Sequence, residues 1–386
     1  MLAPLRDYLS PRDPRTSPLL CTTKDRYFSR LRLLGDLEPD QPGFGESRWI
    51  KSEDVNVEHL LNSFTSFGTD SDDVWDACAS FLTHLFWHKP RSTVLGPRIE
   101  GLSDDHLCKP RCLFELSRLC RLLGNNVGRK WLLIHALELE RRRGDGDRVA
   151  RVLRALADAN RMLGLYRDGI RQSKEALEIC ERLDDVEGQA RGWGSLGCLL
   201  SQDGQLDAAE EAGSRAIDLF RDQGREYWVC VSHRLLGDIY QSKGERWKAV
   251  QHFEESIRIA SPFDWHNQLF WTHLSLAELF CDENEFDNAQ SHIGKAKLHA
   301  VDDTLNLSRA MDQQAEIWFR QGRLEEAKAE TLCALETLEK LGATEGIRWS
   351  SSILQKIERA IEHELISGNS DASGEFSGQD IASDTC

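Results

Sequence analysis

From Lys109 onward, apolar positions recur at helical spacing, and about every 40 residues they are interrupted by a residue suited to a left-handed turn. In Arg234–Ala260, Leu236, Gly237 and Tyr240 share one helical face. A break follows at Lys243 and Gly244, and Ala249, Phe253 and Ile257 then line a second face. The stretch predicts two helices joined by a tight turn. A lone hairpin of this kind cannot bury both faces, so it requires copies of itself.

The copies are present. Turn residues fall at Gly124, Gly164, Gly204 and Gly244, 40 residues apart; Asn284 continues the column and Gly322 follows after 38. Asn is the residue after Gly that best accepts a left-handed conformation. Eight residues before each turn stand Leu116, Leu156, Leu196, Leu236 and Leu276, with Gln314 in the sixth unit. Twelve residues after it stand Ala136, Ala176, Ala216, Ser256, Ala296 and Ala334; five after it, the last four units carry Ala209, Ala249, Ala289 and Ala327. Small residues at fixed columns let paired helices approach closely, and Leu and aromatic columns fill the space between pairs.

These residues resemble the tetratricopeptide repeat, whose unit is a helix pair with an early Leu-Gly, an aromatic, a turn Gly and two alanines. "LGDIYQSKGERWKAVQHFEESI" fills nearly every column, and "LADANRMLGLYRDGIRQSKEAL" and "LGCLLSQDGQLDAAEEAGSRAI" fill most. The period exceeds the usual 34, which calls for longer helices or longer linkers, and a HEAT-like array has a period near 40. The Gly and Ala columns favour the tetratricopeptide reading. The expected fold is an all-α, right-handed α-solenoid with six repeats over 109–342 and a capping helix over 343–366. Residues 367–386, rich in Ser, Gly and Asp, are expected to be disordered. Residues 50–108 hold two apolar-striped segments around Gly68 and read as a degenerate helical extension; residues 1–49 read as a linker.

Composition narrows the setting. The net charge of −16 disfavours nucleic acid and anionic membrane as partners. The charge is uneven: Lys89–Arg171 holds 18 basic and 10 acidic residues. The opening "MLAPLRDYLSP" is too short in its apolar run for a secretory signal, and no stretch approaches a membrane span. Eleven cysteines without such a signal predict free thiols in a reducing, cytoplasmic setting.

The first helix of each unit should line the inner face of the array. Five residues before the Leu column stand Arg111, Arg151, Arg191, Val231, Trp271 and Arg309. Arg154 and Arg234 lie two before it and Arg118 two after, while later units turn acidic at Asp238, Glu278, Asp312 and Glu316. The candidate groove is thus Arg111, Arg118, Arg151, Arg154, Arg191, Arg234 and Trp271. An arginine fork suits the carboxylates or phosphates of a peptide; the competing reading is that each Arg pairs with an acid of a neighbouring helix. Trp131, Trp247 and Trp318 are expected on packing faces, and Trp228 and Trp271 at exposed contacts.

Other motifs carry less. "GWGSLG", Gly192–Gly197, has dinucleotide-fingerprint spacing but lies inside a repeat helix rather than between strand and helix. "GNNVGRK" is too short for a P-loop and lacks its Ser or Thr. His106, Cys108 and Cys112 cluster, and His84 and His88 are one turn apart, but C-x-x-C is missing and ordinary buried thiols explain them. No cofactor, metal or catalytic set is expected.

Motifs outside the repeats resemble a basidiomycete family that joins a NACHT or NB-ARC nucleotide switch (the STAND class) to a tetratricopeptide array. They are "MLAPLRDYLSPRDPRTSPLLCTTKDRYFSRL", "RWIKSEDVNVEHLL" and "FWHKPR". The resemblance implies that "MLAPLRDYL" ends a winged-helix module and that the array senses a ligand or protein for signal transduction. This chain holds no P-loop, Walker B aspartate or complete winged helix, so nucleotide chemistry is carried to no residue here. The alternative expectation is a stand-alone adaptor or co-chaperone that holds an acidic peptide against the arginines.

Overall fold

The computed structural model describes residues 57–62, 64–65, 72–88, 93–300 and 303–374. The expected linker 1–49 lies outside them. Among the described residues every regular element is helical. Helix α1 (Asp72–His88) and a short α2 (Gly96–Glu100) precede a regular series. Its pairs are α3 (Lys109–Leu122) with α4 (Asn126–Arg143), α5 (Gly146–Met162) with α6 (Tyr166–Arg182), and α7 (Val186–Gln202) with α8 (Leu206–Asp222). They continue with α9 (Glu226–Ser242) and α10 (Arg246–Ala260), α11 (His266–Asp282) and α12 (Phe286–His299), then α13 (Thr304–Arg320) and α14 (Leu324–Leu341). A last helix, α15 (Thr344–Gly374), runs eight residues past the expected boundary at 366. By internal contacts the chain forms two compact units, Met1–Ser275 and Leu276–Cys386.

Local chemistry sets the rhythm. From α5 to α9 each helix is 17 residues and each connection three, so the long period is spent on helix rather than linker. The turn column adopts the left-handed conformation it requires, with φ between 62° and 82° at Gly124, Gly164, Gly204, Gly244, Asn284 and Gly322. The next residue then donates its N–H to the carbonyl five positions earlier, as in Leu165 to Asn160 (2.8 Å), Gln205 to Leu200 (2.9 Å) and Glu245 to Tyr240 (2.9 Å). That bond satisfies a carbonyl that the helix end would otherwise leave open. A second left-handed column, unread in the sequence, closes the second helices at Gly144, Asp184, Gly224, Asp264 and Gly342. Restarting helices are capped by side chains where one is available: Asp145 accepts the Arg148 N–H at 3.1 Å and Asp185 the Gly188 N–H at 2.9 Å.

The columns pack as their chemistry dictates. The five leucines and Gln314 are buried, and Ala136, Ala176, Ala216, Ser256, Ala296 and Ala334 are fully enclosed. At Gly197 an added Cβ would sit 3.4 Å from the Ala209 carbonyl and the Gly213 nitrogen, so α7 and α8 meet nearly backbone to backbone. Burial of one such leucine contributes about 2 kcal/mol, and the gain repeats with each pair.

Candidate functional site

Within the first unit, α5 touches α7 and α7 touches α9, so the first helices form one continuous face. The predicted arginines emerge there, and the structure gives most of them carboxylate partners. Arg111 Nη1 lies 2.8 Å from Asp76 Oδ1 on α1, with Nη2 3.3 Å from Ser80 Oγ. Arg118 Nη1 is 2.8 Å from Oε2 of the buried Glu115. Arg151 reaches that carboxylate only at 3.7 Å, stays 55% exposed and lies 4.9 Å over the Phe114 ring. Arg191 holds Glu187 at 2.7 Å, with its guanidinium 4.1 Å above the Trp228 ring. Arg234 pairs with Asp238 at 2.9 Å, one turn on. Trp271 is half-buried, edge-on to Phe270 at 5.2 Å.

Arg154 differs. Its Nη1 donates to Cys180 Sγ at 3.5 Å, and among the described residues it forms no ion pair, although Asp185 stands beside Cys180. Burial pushes the Cys180 thiol up to about 11, against the pull of Arg154, so the sulfur is neutral at physiological pH. Burial also pushes Arg154 below the ordinary arginine value; Cys180 and Asp185 pull against that shift, and the charges of Arg191 and Arg151 add to it. Arg154 thus spends a guanidinium donor on a thiol, with Arg151, Arg191 and Asp185 as its charged neighbours.

The neighbouring part of the face is charge-compensated. Burial raises the Asp158 carboxyl, but Arg129, Arg161 and Arg121 more than offset it and hold the group below the usual carboxylate range. Arg129 Nη2 and Arg161 Nη2 each lie 2.9 Å from it. Sequence reasoning overlooked Asp158, Glu115 and Glu187, although the Arg111–Asp76 and Arg151–Glu115 offsets of 35 and 36 residues nearly repeat. Asp312, expected on the inner face, is instead buried and accepts the Ser350 hydroxyl at 2.6 Å.

Two tryptophans also depart from expectation. Trp131 is 54% and Trp247 62% exposed, both on second helices, so neither fills a core. Trp318 packs against the cluster of Ala315, Ala327 and Ile357 as expected, and Trp228 is half-buried, stacked 5.9 Å from Phe220.

The remaining motifs resolve into packing. Gly192 lies in α7 where a Cβ would meet Leu177 at 2.7 Å, so "GWGSLG" serves helix contact rather than phosphate binding. His106 and Cys108 meet Asp72, with His106 Nε2 and Cys108 Sγ each 3.7 Å from Asp72 Oδ1. Cys112 turns away and donates to the Trp75 carbonyl at 3.3 Å. His106 Nδ1 accepts the Cys108 N–H at 3.2 Å, which puts the ring proton on Nε2.

The tetratricopeptide-repeat family profile matches residues 148–222 and 189–261, from within α5 to the end of α10. Residues 148–261 carry tetratricopeptide repeats. No curated protein matches it. Among solved structures, a Rap protein complexed with competence and sporulation factor shares 12% identity over 89% of this chain and 98% of that one, with a TM-score of 0.56. Aspartyl phosphate phosphatase F from Bacillus subtilis shares 14% identity over 82% of this chain and 80% of that one, with a TM-score of 0.49. A signal transduction ATPase with numerous domains and a tetratricopeptide repeat sensor, from Pyrococcus horikoshii, shares 14% identity over 90% of this chain and 54% of that one, at 0.49. At these identities the likeness is one of fold. No helix among the described residues is long and apolar enough to cross a membrane.

Proposed function

We propose that this tetratricopeptide-repeat chain is a non-catalytic binding scaffold that seats an anionic segment of a protein or peptide on the first-helix face of α5 and α7. Arg154 supports the reading: among the described residues it forms no ion pair, its hydrogen bond goes to a thiol, and Arg151 and Arg191 lie near it, with Asp185 as the nearby acid. A carboxylate placed there gains charge-assisted hydrogen bonds from the Arg154 fork. Arg118 and Arg111, already held by Glu115 and Asp76, fix the surrounding surface rather than meet the ligand. The Rap protein of similar fold is complexed with a factor, which agrees with a ligand-holding role for such an array.

The larger setting we infer is the partner-sensing arm of a STAND-type signalling protein, in association with a nucleotide-binding module. That inference rests on the "MLAPLRDYL", "RWIKSEDVNVEHLL" and "FWHKPR" motifs. A stand-alone adaptor would use the same seat.

The test is anisotropy of a labelled glutamate-rich peptide with the full chain. Binding should weaken as salt rises and fall about tenfold or more with Arg154→Glu. Equal binding by the parent and Arg154→Glu would remove the seat from the account.

A further inference from the structure

The repeat supplies its own control for what its outer surface should look like. Three, seven and ten residues after the turn, the second helices point away from the core. In α6 these positions hold Arg167, Arg171 and Lys174; in α8 they hold Asp207, Glu211 and Ser214. Helix α4 breaks the rule with Val127, Trp131 and Ile134, which are 72%, 54% and 49% exposed. No other second helix is apolar at all three. Trp247 on α10 shares one of the columns, but Gln251 and Glu254 follow it.

The stripe leads into a hollow of about 430 Å³ bounded by Ile134, Leu137, Glu138, Arg141 and Arg142. From Val127 to Arg142 this surface runs about 22 Å, four helical turns at 1.5 Å per residue. Its edges are basic. Helix α4 carries Arg129, Lys130, Arg141, Arg142 and Arg143 against Glu138 and Glu140. Lys130 lies within the stripe, Arg143, near Glu140, donates to the Leu107 and His106 carbonyls, and Arg141 pairs with Glu175. The single acid of the hollow, Glu138, is held by Arg142. All of this falls in the one basic stretch of an acidic chain. An apolar stripe flanked by cations selects a complement that is apolar along one line and acidic beside it, whereas a second copy of α4 would bring its own basic edge against this one.

We propose that the outer face of α4 is a docking site for an amphipathic helix of a partner protein, apolar at i, i+4 and i+7 and acidic along its flanks, with Trp131 as the central anchor. The site lies on a second helix and is separate from the Arg154 seat on the first helices.

The probes are a synthetic four-turn helix with leucines at that spacing and glutamate flanks, and a twin with lysine flanks. Each is titrated into the full chain by calorimetry. The variant is Trp131→Gln with Ile134→Ser, polar residues that α10 and α8 carry at the same columns as Gln251 and Ser214. The acidic helix should bind the parent and lose about tenfold or more with the variant, with thermal unfolding unchanged, while Arg154→Glu leaves its affinity as it was. Four outcomes overturn the proposal: equal binding of the two probes, no binding of either, binding indifferent to the α4 variant, or binding lost with Arg154→Glu. Concentration-dependent self-association abolished by the variant overturns it also, in favour of a second copy as occupant.

Discussion

Asp312 offers the sharpest quantitative expectation. It lies on α13 with 3% of its surface exposed, and only one oxygen is satisfied, by the Ser350 hydroxyl of α15; Oδ1 has no hydrogen-bond partner. Burial pushes its pKa from the ordinary 3.8 to about 6, Ser350 pulls it down and Glu330 pushes it up. A folded-state value above the unfolded one means that the folded form prefers the protonated acid. The stabilisation is therefore complete below about pH 4 and is lost as the pH rises through 6. A rise of this size corresponds to at most about 3 kcal/mol at neutral pH, or about a hundredfold in local opening. Asp312→Asn keeps an acceptor for Ser350 and cannot ionise. Hydrogen exchange followed by mass spectrometry on peptides from α13, α14 and α15 reads the effect locally, which a repeat protein requires because its pairs need not unfold together. Protection of these helices in the variant should come close to the parent near pH 4, exceed it increasingly up to a little above pH 6, and hold that margin to pH 8. A variant less protected than the parent at pH 8 would refute the reasoning, because it would show that the ionised carboxylate contributes more than its burial costs.

Other expectations follow from single contacts. Asp158→Asn leaves the buried Arg129 without its carboxylate and should cost about 3–5 kcal/mol in urea unfolding. Because Asp158 is held below the usual carboxylate range, the parent should lose this stabilisation as the pH falls below the ordinary aspartate value, and the variant should not. Gly237→Ala would place a methyl 2.5 Å from the enclosed Phe253 ring, so a loss of about 1–3 kcal/mol is expected in thermal unfolding. Gly204→Ala meets no atom within 4 Å, yet φ is 82° there; conformational strain alone should cost about 1–2 kcal/mol. No loss at Gly204 would show that the turn relaxes freely.

The fold was legible because its punctuation is stereochemical. A left-handed residue closes each first helix, and only Gly and Asn entered that column, so the period stood out. The turns that close the second helices obey the same geometry but twice use aspartate, at Asp184 and Asp264, which reads as an ordinary polar loop. The tryptophans were misread for another reason. Helical periodicity locates a face without saying whether another helix covers it, and Trp131 sits where α6 and α8 carry Arg171 and Glu211. The arginine face was half-readable. Its residues were found, but the acids that engage Arg111 and Arg151 come from a neighbouring element about 35 residues away, so pairing emerges only once the helices stack. Arg154 stands apart because the side chain opposite it is a cysteine.

The regular spacing from Gly124 to Gly244 carries an evolutionary consequence. Three successive units have equal length to the residue, with the same closing geometry at each boundary. A recombination event between any two of these glycine codons joins a complete helix pair to a complete helix pair, adding or removing 40 residues without shifting a packing column. The 38-residue step to Gly322 would not preserve that register, so an exchange there would shift the packing columns by two positions.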